Sequence, residues 1–240
     1  MAGHSKWANI KHRKERADQK KGKIFSRAVK EIISAVKQGG PDLKSNGKLR
    51  IAVEKARDAN VPNENIERNI KKASDPNTQD FLPFQYELYG FGGVGLIVVG
   101  LTDNKNRISS EIRIALNKCG GTQAQPGAVA FNFERKGVIE VEKSSMKEED
   151  LFLLVSDNGA EEMEVEEESY RIITPAEALA QVKDAIVNQA GKVLEAEIAM
   201  LPKVWVEPSE EEITSNLALI EKLEAIDDVD SVYHNIGKQQ

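Results

Sequence analysis

The stretch GVIEVEKSSMKEEDLFLLVSDNGAEEMEVEEESYRIITPAEALAQVKDAIVNQAGKVLEAEIAML, Gly137 to Leu201, decides how the rest of the chain is divided. Alternating or continuous runs of β-branched residues predict strands at 138–142, near 161–166, at 169–174 and at 193–201. Helical spacing predicts helices at 147–157 and 175–190. The order βαββαβ is the ferredoxin-like split pattern and can fold as an independent unit. The acidic run Glu161, Glu162, Glu164, Glu166, Glu167 and Glu168 lacks the interleaved Gly and Asn of a calcium loop and reads as a solvated turn.

On the C-terminal side of this unit the pattern gives a strand at 203–206, a helix at 210–225 beginning near Ser209, and a strand at 229–234. On its N-terminal side Phe84 to Tyr89 and Val94 to Leu101 read as a hairpin around a glycine-rich turn. Helical spacing at Ile108, Ile112, Ala115 and Leu116 then ends at Cys119-Gly120-Gly121, and a strand is expected from Ala128 to Phe133. These flanks together form one α+β unit completed by the C-terminus, with the βαββαβ segment as an insertion.

The first third is helical. Phe25, Ala28, Val29, Ile32, Ile33 and Val36 recur at helical spacing while Lys23, Arg27, Lys30 and Lys37 fall on the opposite face. Gly39-Gly40-Pro41 ends this helix. A second pattern, Leu49, Ala52, Val53 and Ala56, stops near Asn60 to Pro62, and Asn63 is expected to cap a third helix carrying Ile66 and Ile70. The fold class is therefore α+β in three domains: a basic helical bundle at 1–78, a central domain at 79–134 plus 203–240, and an inserted ferredoxin-like domain at 135–202.

Charge separates along the same boundaries. Of 33 Lys/Arg and 39 Asp/Glu in 240 residues, 19 and 9 lie in residues 1–75, leaving 14 and 30 for the remainder. The first part is thus +10 and the rest −16, around a chain total of −6. Lys6 to Lys30 holds ten Lys/Arg with only Glu15 and Asp18 as acids, interleaved with Trp7 and His12 and preceded by His4. Cations along one face displace counterions from phosphates, and an indole stacks on a base or lies against a sugar. The nucleic-acid contacts are accordingly assigned to Lys6, Trp7, Lys11, His12, Arg13, Lys14, Arg16, Lys20, Lys21, Lys23, Arg27 and Lys30. A solvated helix surface, or an electrostatic dock for the chain's own acidic part or for an acidic partner, is the plainer alternative. Secondary contacts are assigned to Lys105 and Arg107, in a loop where Asp103 and Asn104 otherwise serve as turn and cap residues.

Other chemistry is poorly represented. Gly90-Phe91-Gly92-Gly93-Val94-Gly95 matches a dinucleotide fingerprint in form, but the β-branched run Leu96-Ile97-Val98-Val99 follows it where a helix should begin. A hairpin turn needing positive φ accounts for it better. The single cysteine, Cys119, excludes an intramolecular disulfide framework and fits a reducing, cytoplasmic setting. With His4, His12 and His234 as the only histidines, neither a metal site nor a Cys-His nucleophile is indicated, and His234 reads as a packing residue. No catalytic residue, metal, cofactor, small-molecule substrate or enzymatic activity is expected. No signal peptide or membrane helix is expected either, since Val94 to Leu101 is the longest apolar run.

The opening Met1-Ala2-Gly3-His4-Ser5-Lys6-Trp7-Ala8-Asn9, with Lys11-His12-Arg13-Lys14 and Gly22-Lys23-Ile24-Phe25, resembles the signature of the YebC/PmpR family. Tyr89-Gly90 with Gly92-Gly93, Thr102-Asp103-Asn104 with Asn106-Arg107, Lys118-Cys119-Gly120-Gly121, and Asp227-Asp228-Val229 with Val232-Tyr233-His234-Asn235 resemble further family blocks in order. The resemblance implies the same three domains and a cytoplasmic DNA-binding transcriptional regulator. Relatives of that family also include translation factors that assist ribosomes at proline-rich stretches and a mitochondrial translational activator of cytochrome oxidase subunit I. Ribosomal RNA is therefore the alternative partner. The sequence departs from the family pattern at Phe91, where proline is common, and at Gln125-Pro126. Neither departure lies in the basic arm.

Overall fold

Among the described residues, three helices in the first third of the chain bury one apolar stripe each against the other two. A computed structural model describes residues 16–237, with side chains from residue 22 onward. Helix α1 (Arg16–Gly39) contributes Ala28, Ile32, Ile33 and Val36, helix α2 (Gly47–Asp58) contributes Leu49, Ala52, Val53 and Ala56, and helix α3 (Asn63–Ala73) contributes Ile66. Fully burying a side chain such as Ile32 or Leu49 stabilises the bundle by about 1.5–3 kcal/mol before entropic costs. Asn46 caps α2, its Oδ1 accepting from Leu49 N–H at 3.0 Å while its Nδ2 donates to the carbonyls of Ala35 and Gly40, both at 2.8 Å. The cap expected at Asn63 is not formed: Pro62 occupies the N-cap position, and the Asn63 Oδ1 accepts from Arg57 Nε at 3.3 Å.

Two antiparallel sheets follow. The first combines β1 (Leu82–Tyr89), β2 (Gly95–Thr102), the short β3 (Thr122–Gln123) and β8 (Val229–His234) in the order β3-β1-β2-β8. The β1–β2 hairpin keeps register from Leu82↔Thr102 to Tyr89↔Gly95. Gly92 and Gly93 in its turn have φ of 63° and 78°, a region that side chains with a Cβ disfavour. A strand, not a helix, leaves this turn, so no helix N-terminus faces it to receive a pyrophosphate. Helices α4 (Lys105–Cys119) and α7 (Glu210–Glu224) cover one face through Ile108, Ile112, Leu219 and Leu223 against Leu88, Leu96 and Val98. Cys119 is partly buried against this core.

The second sheet contains β4 (Phe133–Glu142), β5 (Glu162–Val165), β6 (Ser169–Pro175) and β7 (Val193–Pro202) in the order β5-β6-β4-β7. Each neighbouring pair is antiparallel, so β4 and β5 run the same way with β6 between them. Helices α5 (Glu148–Asp157) and α6 (Leu179–Asn188) close one face over Ile139, Val141 and Ile172. Strand alternation turns Val138 to the other face, where it meets Ala199, Ile97 and Tyr233 between the two sheets.

Two expected strands are absent. Ala128 to Phe133 curls through a short 3₁₀ turn at Ala130–Asn132 because the buried Glu87 carboxylate accepts N–H groups from Gly127, Val129 and Ala130 at 2.7–2.8 Å. Residues 203–206 make only one bridge, Val206 to Ile236, since the Asn132 and Asn235 side chains take the polar groups of Val204. The acidic run is also more structured than a solvated turn: Glu164 and Glu166 approach the buried Arg171 at 3.6 and 3.0 Å.

Candidate nucleic-acid interface

Helix α1 carries six of the residues that the sequence assigns to phosphate contact, Arg16, Lys20, Lys21, Lys23, Arg27 and Lys30, and the surroundings of the last three set how far each faces outward. Positions 16, 20, 23, 27 and 30 follow 4-3-4-3 spacing and so form one stripe along the helix. The described side chains of that stripe, Lys23, Arg27 and Lys30, lie against the first sheet.

Lys30 is buried, donating to Asp228 Oδ1 at 3.0 Å and to the carbonyls of Asp227 at 2.9 Å and Leu101 at 3.2 Å. Lys23 donates to the carbonyls of Glu224, Ile226 and Val229. It thereby supplies a cation at the C-terminal end of α7, where the helix dipole is negative. Burial pushes the Lys23 ammonium below its ordinary pKa, against the pull of Glu224, Asp230 and Asp227. Arg27, about half exposed, sits 3.2 Å from Glu31 and 3.6 Å from Asp230. Burial holds the Asp230 carboxyl above its ordinary range despite Arg27.

This seam withdraws Lys23 and Lys30 from the cations free to reach an external phosphate. The sequence offered such an internal dock only as the alternative and could not name its partners, because nothing local pairs residues some 200 positions apart; the acidic run Asp227-Asp228-x-Asp230 was its local signal. Lys6, Trp7, Lys11, His12, Arg13 and Lys14 lie outside the described residues, as do the side chains of Arg16, Lys20 and Lys21, whose backbone belongs to α1.

The two secondary contacts diverge. Lys105 is exposed in the first turn of α4, whereas Arg107 bonds Asp103 at 2.7 Å and Asp228 on its other side. Asn104 caps α4 by accepting from the N–H groups of Asn106 and Arg107 at 3.1 and 3.0 Å. Burial opposes ionisation of Asp228, yet the bonds from Arg107, Thr102 and Lys30 hold its carboxyl below the usual range.

An open cleft of about 530 Å³ lies where α1 meets both sheets, lined by Arg27, Glu31, Gln85, Arg135 and Asp230 among others. Two guanidinium groups face two carboxylates there, so it does not concentrate a polyanion. His234 is buried, and loss of hydration lowers its pKa to about 4, so it is a neutral packing residue near pH 7. Among the described residues no group of three or more His, Cys, Asp or Glu side chains is placed to hold a metal ion. Among them, too, no helix is long and apolar enough to cross a membrane.

Residues 5–76 match the model for the TACO1/YebC protein N-terminal domain, and residues 82–236 match that for the TACO1/YebC second and third domain. A probable transcriptional regulatory protein of Protochlamydia amoebophila is 59% identical over 98% of this chain and 96% of its own length. One of Chlamydia muridarum is 55% identical over 98% of this chain and all of its own. The crystal structure of a conserved hypothetical protein from Aquifex aeolicus superposes with a TM-score of 0.82 at 39% identity, covering 98% of this chain and 97% of that one. Family models spanning nearly the whole sequence, and relatives matched from end to end, place this chain in the TACO1/YebC family.

Proposed function

We propose that this protein is a cytoplasmic, non-enzymatic DNA-binding transcriptional regulator whose arm, residues 6–21, grips the phosphate backbone. The carrying observation is the charge of +10 in residues 1–75, most densely placed ahead of the seam that neutralises Lys23 and Lys30. Lys6, Lys11, Arg13, Lys14, Arg16, Lys20 and Lys21 contact phosphates, His12 adds a further donor, and Trp7 stacks or wedges. The names of the relatives support transcription as the process.

The three-domain division belongs to this reading. Separate apolar cores in the helical bundle and beneath each sheet support it. The seam then serves as a mount, giving the arm a fixed origin at the start of α1. Binding by fluorescence anisotropy across a salt series tests the idea. If about 4 to 8 phosphates are neutralised, log affinity against log salt slopes by roughly −4 to −7. Deleting residues 1–15, which removes Lys6, Lys11, Arg13 and Lys14, should make that slope shallower by roughly 3 to 4; a flat wild-type response, or undiminished binding after the deletion, rejects the proposal.

A further inference from the structure

The opposite end of α1 carries a second positive pole. The loop after Gly40 and the first turns of α2 expose Lys44, Lys48 and Arg50, and no acidic residue occurs from 43 to 53. Arg50 Nη1 donates to the carbonyls of Leu43 and Lys44, both at 2.9 Å, which orders the guanidinium without neutralising it. Lys48 Nζ rests 2.7 Å from the uncharged Gln38 amide oxygen. Asp42, the nearest acid in sequence, is occupied within its own loop by Lys44 N–H at 3.0 Å and the Ser45 hydroxyl at 3.1 Å. Among the described residues none of the three cations forms an ion pair, in contrast to Lys55 further along α2, which lies 3.1 Å from Glu31. Leu43 and Ile51 stay exposed beside them and offer apolar contact to sugars.

Distance gives this pole its meaning. At 1.5 Å per residue the 24 residues of α1 span about 36 Å. The arm's last cations, Arg16, Lys20 and Lys21, stand on the first turns of α1, about 27 to 36 Å along its axis from the end that carries the Lys44–Arg50 pole, and the stripe between them is neutralised by the seam. The same face of a DNA duplex returns every 34–36 Å or so. We infer that Lys44, Lys48 and Arg50 form a second phosphate clamp, engaging a DNA duplex about one helical turn from the site gripped by the arm. This inference rests on the DNA-binding reading above.

The test uses the full chain, its Lys44→Gln/Lys48→Gln/Arg50→Gln variant, and labelled duplexes of two lengths. On a duplex of about 24 base pairs the variant's salt slope should be shallower than wild type by roughly 3, one unit for each lost phosphate contact. On a hairpin duplex of about 6 base pairs, roughly 20 Å long and too short to join both poles, the two proteins should bind alike. The double variant Lys44→Gln/Lys48→Gln, which keeps the Arg50 loop bonds, should lose roughly 2 units on the long duplex and guards against a folding defect. Equal slopes on the long duplex for correctly folded variants, with arm-dependent binding intact, overturn the second clamp alone. Failure of the wild-type chain to bind either duplex overturns the DNA-binding reading itself.

Discussion

Lys30 and Asp228 meet across 198 positions of sequence, Nζ to Oδ1 at 3.0 Å, with both side chains at most 10% exposed. Asp228 also accepts from Thr102 Oγ1 at 2.8 Å and from Arg107, so one carboxylate ties α1, β2 and α4 to the turn before β8. Gly100 makes the approach feasible, because a Cβ there would collide with the Asp228 carbonyl. The basic helix is thereby fixed to the acidic remainder by buried, directional bonds rather than by diffuse attraction.

Removing the ammonium leaves that carboxylate short of a partner in a poorly hydrated site. Lys30→Met is expected to lower the unfolding free energy by about 3 kcal/mol in urea melts. Lys30→Met/Asp228→Asn should cost less than the sum of the two single changes. Strict additivity would show that the two groups do not act as a pair.

Glu87 is buried, which taken alone raises a carboxyl pKa, but the N–H groups of Gly127, Ala130 and Val129 more than reverse this and hold it below the ordinary value of 4.5. A depressed folded-state pKa stabilises the protein above the unfolded value, and that contribution disappears as pH falls through the folded one. Glu87→Gln should therefore destabilise at neutral pH by about 1–3 kcal/mol, with the gap to wild type narrowing below about pH 4. Calorimetry at the two pH values checks both parts.

His234 supplies an acid sensitivity at higher pH. Burial lowers its pKa from 6.5 to about 4, so between those values the unfolded chain binds a proton that the folded chain refuses. Stability then falls with falling pH, by at most about 1.4 kcal/mol per unit from this group. His234→Asn, whose Oδ1 can replace the Nδ1 that accepts from Ile236 N–H at 3.3 Å, should flatten the pH dependence between about 6 and 4.5. An unchanged slope in chemical denaturation would refute the assignment.

Asn216 clamps the glycine turn from inside α7. Its Oδ1 accepts from Phe91 N–H at 2.9 Å and its Nδ2 donates to Phe91 O at 3.0 Å, with the side chain fully buried. Asn216→Ala should cost about 1–3 kcal/mol and speed amide exchange at Phe91. Because both bonds use the Phe91 backbone, Phe91→Pro removes the donor and should weaken the clamp, whereas Phe91→Leu should retain it.

The amino-acid sequence by itself determined the local elements, since each reflects a period or a turn residue within a short window. The helix over residues 23–37, the β1–β2 hairpin and the βαββαβ order were all legible in that way. So was the helix start at Ser209, where Ser209 and Glu212 cap each other reciprocally. Tertiary structure alone decided where Glu87 curls the backbone at 127–130, how Arg171 gathers Glu164 and Glu166, and which face of α1 meets the first sheet. Those outcomes depend on groups distant in sequence whose attraction acts only once the chain brings them within a few ångströms. Lys23 and Lys30 illustrate the division: composition marked them as cations available to a polyanion, and folding delivered carbonyls and a carboxylate that occupy them first.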